Sequence, residues 1–323
     1  MSSRPSQAGT VCAVVAAFNP DPGFAARLQH IRQQTSHVVV VDNGSGNAAA
    51  IQRAIETLPE DLELIRNRHN GGIAQAFNQG LERAIERGAT WALTLDQDSL
   101  PAQDMVHELL SAQEALPGAD QVAVLAPQVV DSQHGRPALF LRKRSRWLFR
   151  RAPCENGLLD DVTIVISSGS LIKLTLFTAL GGFREDFFID YVDTEYCLRA
   201  QANGFRIAVA CSAHLEHRLG DRREASLAGL HMLPTFHSPA RWYYISRNRI
   251  PMLRMYSLRF PHWLFYEIVA STYGMLRMLL FEDRRLEKVR AILRGTLDGL
   301  RGRMGPGPYH GQLAQQERPG DPT

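Results

Sequence analysis

The chain has 323 residues, 45% of them hydrophobic and 21% charged, with a formal net charge of +3. This is the composition of an ordinary globular protein, long enough for one large packed domain with an appendage, and it excludes a chain too polar to bury a core. The charge is uneven: 13 Lys/Arg against 5 Asp/Glu between Arg241 and Arg303 leave an acidic body before a basic stretch, which points to an anionic partner such as nucleic acid or anionic lipid.

The first apolar run, Val11 to Phe18, reads as a buried strand and not as a signal peptide. Asn19-Pro20-Asp21-Pro22-Gly23 turns into a helix with Phe24, Leu28 and Ile31 on one face. His37 to Val41 is a second strand, ending at Asp42-Asn43-Gly44-Ser45. A helix carrying Ile51, Ile55 and Leu58, a short strand at Leu62 to Ile65, and a helix from Ile73 to about Arg87 follow. Asn70-Gly71-Gly72 opens that last helix. Trp91 to Leu95 is the fourth strand. Such alternation implies parallel strands joined by right-handed crossovers, with helices on both faces. Ligands of such sheets bind where the strands end.

The fourth strand ends at Asp96-Gln97-Asp98. Two acids this close repel each other unless a cation sits between them, so the tripeptide reads either as a hard-metal site or as a solvated surface loop. Asp42 can accept from a ribose hydroxyl or a base N–H, or can simply shape a turn with Gly44. The amides of Asn70-Gly71-Gly72, with Asn78 further along, can meet a polar ligand or only cap the helix.

Beyond Asp104 the spacing predicts a helix from Met105 to Ala115, strands at Val122 to Ala126, Ala138 to Leu141 and Val162 to Ile166, and a helix near Leu174 to Leu180. Phe188-Ile189-Asp190-Tyr191-Val192-Asp193-Thr194-Glu195 sets carboxylates among aromatics at the entry to a helix ending near Asn203. A partly desolvated carboxylate there can act as a general base, although N-capping alone would explain Asp193. A strand at Arg206 to Ala210 follows. His217 can offer a neutral imidazole to a metal or serve structure only. From Pro239 onward the chain reads as helices, and the tail after Gly302 reads as disordered. Cys12, Cys154, Cys197 and Cys211 are scattered. That spacing argues against a zinc site and a disulfide framework, and suits a reducing compartment.

Trp263 to Phe281 is long and apolar but contains Glu267 and Arg277. Leu264, Ile268, Met275, Leu276 and Leu279 recur at helical spacing, and Arg284, Arg285, Lys288, Arg290 and Arg294 follow. An amphipathic helix lying on an anionic leaflet fits better than a membrane span.

Taken in order, several motifs resemble glycosyltransferase family 2, the inverting enzymes of GT-A fold that use nucleotide sugars. They are Val14 to Asn19, Val41 to Ser45, Asn70 to Ala74, Leu95 to Ser99, Ser168-Gly169-Ser170, Gly181-Gly182-Phe183, Phe188 to Arg199 and Tyr243-Tyr244 with Arg247-Asn248. Leu-Asp-Gln-Asp-Ser with Ile-Asp-Tyr-Val-Asp-Thr-Glu is similar to the bacterial rhamnosyltransferase branch. The resemblance implies a Rossmann-like, mostly parallel α/β sheet with flanking helices in residues 1–238, a basic helical extension in 239–303 and a disordered tail in 304–323. It implies transfer of L-rhamnose from dTDP-L-rhamnose to a lipid-linked or lipopolysaccharide saccharide (O-antigen, core or exopolysaccharide). It places the enzyme on the cytoplasmic face of the inner membrane, peripherally bound, with no nucleic-acid partner. By matching motif, Asp42 meets the nucleoside with Phe18 and Asn19 nearby, and Asn70 and Gly72 belong to the donor site. Asp96 contacts ribose or metal, Asp98 binds Mg2+ or Mn2+, and His217 sits near metal or phosphate. Asp193 is the base, with Asp190 and Glu195 as alternatives. Arg222 or Arg247 would stabilise the leaving group. Another nucleotide sugar is the alternative donor. A haloacid-dehalogenase-type phosphatase places its Asp-x-Asp on the first strand, not the fourth. A nicotinamide enzyme would need Gly-x-Gly-x-x-Gly after the first strand. A catalytically silent membrane-surface protein would not need both a metal ligand set and a base.

Overall fold

A computed structural model describes residues 10–56, 62–155, 157–217, 225–227, 230–232 and 235–311. Strand β1 (Val11–Ala17), helix α1 (Phe24–Arg32), β2 (His37–Asp42), α2 (Ala48–Glu56), β3 (Leu62–Arg66), α3 (Ile73–Glu86) and β4 (Trp91–Asp96) alternate as the sequence predicts. The four strands pair in parallel in the order β3-β2-β1-β4. The apolar runs of β1, β2 and β4 are what a sheet covered on both faces needs, while β3 at the edge is only partly buried. Along β1, Cys12, Val14 and Ala16 enter one core with Phe77 and Tyr196, while Ala13 and Val15 enter the other with Leu28 and Leu109.

The second half is mixed. In order come β5 (Leu100–Pro101), α4 (Met105–Ala115), β6 (Val122–Asp131), β7 (Phe140–Lys143), β8 (Phe149–Ala152), β9 (Leu158–Leu159), β10 (Val162–Ile164), β11 (Ser170–Lys173), α5 (Leu174–Leu180), α6 (Val192–Ala202) and β12 (Arg206–His217). The large sheet continues from β4 as β11-β6-β12-β5. Strand β11 is antiparallel to both β4 and β6, whereas β12 is parallel to β6. β12 therefore runs in the same sense as β4, and its C-terminal residue, His217, arrives at the edge where β4 ends. Four residues running straight into α5 carry no periodicity, which is why β11 is not read from the sequence.

A short pair, β13 (Ala225–Leu227) with β14 (Leu230–Met232), precedes helices α7 (Pro239–Tyr256), α8 (Pro261–Phe281) and α9 (Arg285–Leu300). Helices α7 and α9 pack backbone to backbone. A Cβ on Gly295 would fall on the Tyr243 carbonyl, and one on Gly299 on that of Arg247. Along α8, Phe265, Ile268, Val269, Tyr273, Leu276, Leu279 and Leu280 are exposed on one stripe. Its buried Glu267 turns inward to Arg249 at 2.8 Å.

Three expectations are corrected. Cys154 and Cys211 form a disulfide, with Cα atoms 5.1 Å apart. Their 57-residue separation hides a contact that β12 creates. Lys288 does not belong to an exposed basic face: it is buried against Glu282 at 3.0 Å. Residues 304–311, expected to be disordered, fold back on the body, where the Gly305 amide donates to the Asp186 carbonyl at 2.7 Å.

Gly295→Val should lower unfolding free energy by about 1–3 kcal/mol, the usual cost of overpacking. A drop in the urea midpoint at unchanged slope would record it.

Candidate active site

The carboxyl edge of the sheet gathers the candidate residues from separate elements. Asp42, the last residue of β2, is 1% exposed. Its Oδ1 accepts from the Ser45 amide at 2.9 Å. Among the described residues its Oδ2 accepts no hydrogen bond, and Arg66 Nε lies 3.6 Å away. A buried carboxylate oxygen without a donor is costly unless a ligand supplies one. Asn19 pins the loop that follows: its Oδ1 accepts from the Gly46 amide, and its own amide donates to Ser45 Oγ. The Phe18 amide donates to Gln97 Oε1, tying the end of β1 to the tip of β4.

Asn43, which the sequence offers only as part of a turn, is a hub. Its Nδ2 donates to Asn70 Oδ1 and to the Gly72 carbonyl, and its Oδ1 accepts from the Gly71 amide. Asn70 Oδ1 also accepts from the Gly72 amide. Gly72 is obligatory for two reasons. Its φ of +90° is open to few L-residues, and a Cβ would strike the Phe188 carbonyl. That carbonyl instead accepts from the Ile73 amide at 2.9 Å. Asn78 serves Phe183 and Glu185 rather than the cleft.

At the tip of β4, Asp96, Asp98 and His217 each offer a ligand atom, and these atoms lie within 4.8 Å of one another. His217 Nε2 is 3.6 Å from Asp96, and its Nδ1 is 3.6 Å from Asp98. Ser99 Oγ sits 3.0 Å from His217 Nδ1 and 2.6 Å from Ser168 Oγ, and Ser168 Oγ accepts from the Asp96 amide. The two serines thus orient the imidazole and the β4 tip; the Ser168-Gly169-Ser170 motif marked one of them. Burial pushes the Asp96 carboxyl up to about 6; Asp98 and Asp193 add to this, and His217 and Arg241 oppose it. Two carboxylates and one imidazole within reach of a common point fit a divalent cation such as Mg2+ or Mn2+.

The carboxylates just before α6 and in its first turn divide their roles. Glu195 is 1% exposed and held by Arg199 at 3.0 Å and by the Tyr256 hydroxyl at 2.7 Å. It is a structural ion pair. Asp190 accepts from Arg241 at 3.2 Å. Asp193 is half-buried, and its Oδ1 accepts from the Thr194 amide at 2.7 Å and from the Thr194 hydroxyl at 3.4 Å. Burial raises its carboxyl above the ordinary value, against the Thr194 bonds. Arg247 is not at the cleft surface. It is fully buried, donating to the carbonyls of Phe187 and Gly305, so it is placed under the loop and not against a leaving group. Arg222 lies outside the described residues. A cavity of about 630 Å3 lined by Lys143, Arg259 and His262 borders the far end of α6 and takes none of these groups.

A sheet that collects polar loops, an Asp-x-Asp tip and an imidazole at its carboxyl edge is the frame of a nucleotide-sugar transferase. Residues 12–180 match the model of glycosyl transferase family 2, over half of the chain. The chain belongs to that family and is a glycosyltransferase. It is 27% identical over 320 residues to dTDP-rhamnosyl transferase RfbF of Shigella flexneri, covering 93% of this chain and 98% of RfbF. It is 25% identical to galactofuranosyltransferase GlfT1 of Mycobacterium tuberculosis, covering 77% of this chain and 84% of GlfT1. Its fold is similar to that of GalNAc-T7 solved with UDP, GalNAc and Mn2+, at a TM-score of 0.58 and 13% identity. That match covers 92% of this chain and 57% of GalNAc-T7.

Asp96 keeps its proton in the folded state above the ordinary carboxylate value of 3.8. Native protein therefore binds more protons than unfolded chain between about 4 and about 6, and cation-free stability should fall as pH rises through that window. Mn2+ should raise the thermal midpoint of the protein at pH 7 and leave Asp98→Ala unmoved. A wild-type midpoint indifferent to Mn2+ would reject the cation site.

Proposed function

We propose that this protein transfers L-rhamnose from dTDP-L-rhamnose to a hydroxyl of a growing cell-surface saccharide, with inversion. The observation that carries the reading is the Asp96–Asp98–His217 cluster facing the same sheet edge as Asp193. The choice of rhamnose rests on similarity to RfbF along nearly the whole of both chains. Similarity to GlfT1 favours a second reading, the same chemistry with another nucleotide sugar.

Asp42, Asn19 and Phe18 would receive the nucleoside, and the Asn70–Gly72 loop would shape the donor pocket. Asp96, Asp98 and His217 would hold Mn2+ or Mg2+, and the imidazole favours Mn2+. When bound, the cation would offset charge gained by the diphosphate leaving group. Asp193 takes the proton from the acceptor hydroxyl, and its raised proton affinity suits that task. Attack from the face opposite the leaving group converts a β-linked donor into an α-L-rhamnoside. Arg241, half-exposed and paired with Asp190, lies within electrostatic reach of Asp96.

The acceptor is a lipid-linked or lipopolysaccharide saccharide, reached from the cytoplasmic face of an inner membrane. Support comes from the exposed apolar stripe of α8, a 21-residue helix that by length and composition alone could cross a membrane. The β7–β8 hairpin flanks its N-terminal half, where Phe149 packs on Phe265 and Tyr266. That hairpin exposes Trp147, Leu148, Arg144 and Arg146. Arg284 and Arg285 lie just past the other end of α8. Apolar surface framed by cations suits a helix lying on an anionic leaflet.

A screen of nucleotide sugars for nucleoside diphosphate release should single out dTDP-L-rhamnose; preference for another donor selects the second reading. Asp193→Asn should keep dTDP affinity and cut transfer by roughly 10²–10⁴-fold, the range of a lost general base. Unchanged turnover would move the base elsewhere. The double change Ile268→Glu with Leu276→Glu should abolish co-sedimentation with phosphatidylglycerol vesicles, and retained binding would reject the docking face.

A further inference from the structure

The segment from Glu185 to Tyr191, just ahead of Asp193, holds three non-glycine residues at positive φ: Phe188 at +67°, Asp190 at +61° and Tyr191 at +63°. Left-handed backbone costs L-residues about 1–2 kcal/mol each, so the loop relaxes unless its surroundings hold it. Its carbonyls are held from beneath by two consecutive residues of α7. Asn248 Nδ2 shares its two hydrogens among the carbonyls of Phe187 at 2.9 Å, Ile189 at 2.8 Å and Asp190 at 3.0 Å. Arg247 NH2 donates to the Phe187 carbonyl at 2.9 Å and lies 3.4 Å from that of Asp186. Arg247 Nε donates to Asn248 Oδ1 at 2.9 Å, which turns the amide's N–H groups toward the loop. Both side chains are fully buried. The Arg247 charge is met by carbonyl dipoles and by the faces of Tyr243 and Tyr244, 5.6 and 4.8 Å away. A buried arginine held this way is expensive, and it stays only where its fork is needed.

The chain beyond α9 closes the other side. Arg247 NH1 donates to the Gly305 carbonyl, and the Gly305 amide donates to Asp186. His310 Nε2 is 2.8 Å from the Asn70 carbonyl, with its ring edge-on to Phe188. Phe188 stacks on Tyr244 and gives its carbonyl to Ile73. One strained loop thus touches the donor-side turn, helix α7 and the C-terminal segment.

We propose that Arg247 and Asn248 are positioning residues that clamp the Asp186–Asp190 backbone and so set Asp193 relative to the bound donor. This rests on Asp193 as the base. They touch neither donor nor acceptor. Loosening the clamp acts on the chemical step, because a displacement of about 1 Å at a reacting group costs on the order of 100-fold in rate.

The test uses full-length protein carrying Asn248→Ser or Arg247→Lys, with dTDP as the binding probe and dTDP release from dTDP-L-rhamnose, water as acceptor, as the turnover probe. The expected result is dTDP affinity within about three-fold of wild type, release slowed about 100-fold, and faster amide exchange in peptides covering residues 186–193. Equal losses of affinity and turnover would overturn the proposal, since they would assign the pair to the donor pocket. Wild-type exchange in that segment would overturn it too. Should one variant fail to fold, the other carries the measurement. If Asp193→Asn keeps full activity, or the wild type releases no dTDP, the functional reading fails instead; the exchange comparison still decides whether the clamp holds the loop.

Discussion

The constraint behind this structure is the repulsion between carboxylates crowded at one sheet edge. Asp96 and Asp98 alternate at the tip of β4, and Asp193 lies within electrostatic reach of Asp96. Negative charges so close repel one another and stay together only where rigid elements hold them. Two apolar cores, one on each face of β1, provide that rigidity. Among the described residues, His217 and Arg241 oppose the charge at Asp96. A site built at such electrostatic cost is suited to a ligand set that supplies positive charge, and a divalent cation does so compactly.

The reversal of β11 is what makes the site complete. Running opposite to β4, it brings its N-terminal end, and Ser168 just before it, to the edge where β4 ends. The Thr94 hydroxyl then donates to the Ser167 carbonyl at 2.6 Å, and the Asp96 amide to Ser168. Strand β12 returns parallel, so His217 reaches the same edge from a third strand. Three strands separated by long stretches of chain thus meet through two serines and one imidazole.

Much of this was legible in the sequence, for a physical reason. Parallel strands buried on both faces write themselves as apolar runs, so β1 to β4 and the acidic tip could be placed from local pattern. The pieces that escaped depend on partners distant along the chain. Glu195 and Asp193 look alike in sequence, and only Arg199 and Tyr256 make the first structural. Arg247 carries a charge that reads as a cleft cation, yet its guanidinium is spent on backbone carbonyls beneath a loop. The Cys154–Cys211 bond joins two cysteines without a recognisable spacing. The Gly- and Pro-rich tail reads as disorder, but glycine also lets Gly305 approach Asp186 closely enough to bond.

Helix α8 shows how the same composition can serve two surfaces. Its outward stripe is apolar and exposed, which costs solubility unless something covers it. Its inward carboxylate, Glu267, accepts from Arg249, from Ser271 and, at 2.5 Å, from the Tyr191 hydroxyl. Tyr191 is the N-cap residue just ahead of α6, two positions before Asp193. Burial raises the Tyr191 hydroxyl well above its ordinary value, with Glu267 acting in the same direction, so it stays a hydrogen-bond donor across the working pH range. A helix whose outer face suits a lipid surface is therefore joined, through buried Glu267 and the partly buried Arg249 and Tyr191, to the segment that presents the proposed base. Under the proposed function, an acceptor carried on lipid would arrive beside the element that holds that loop in place, and membrane contact and catalytic geometry would meet on one helix.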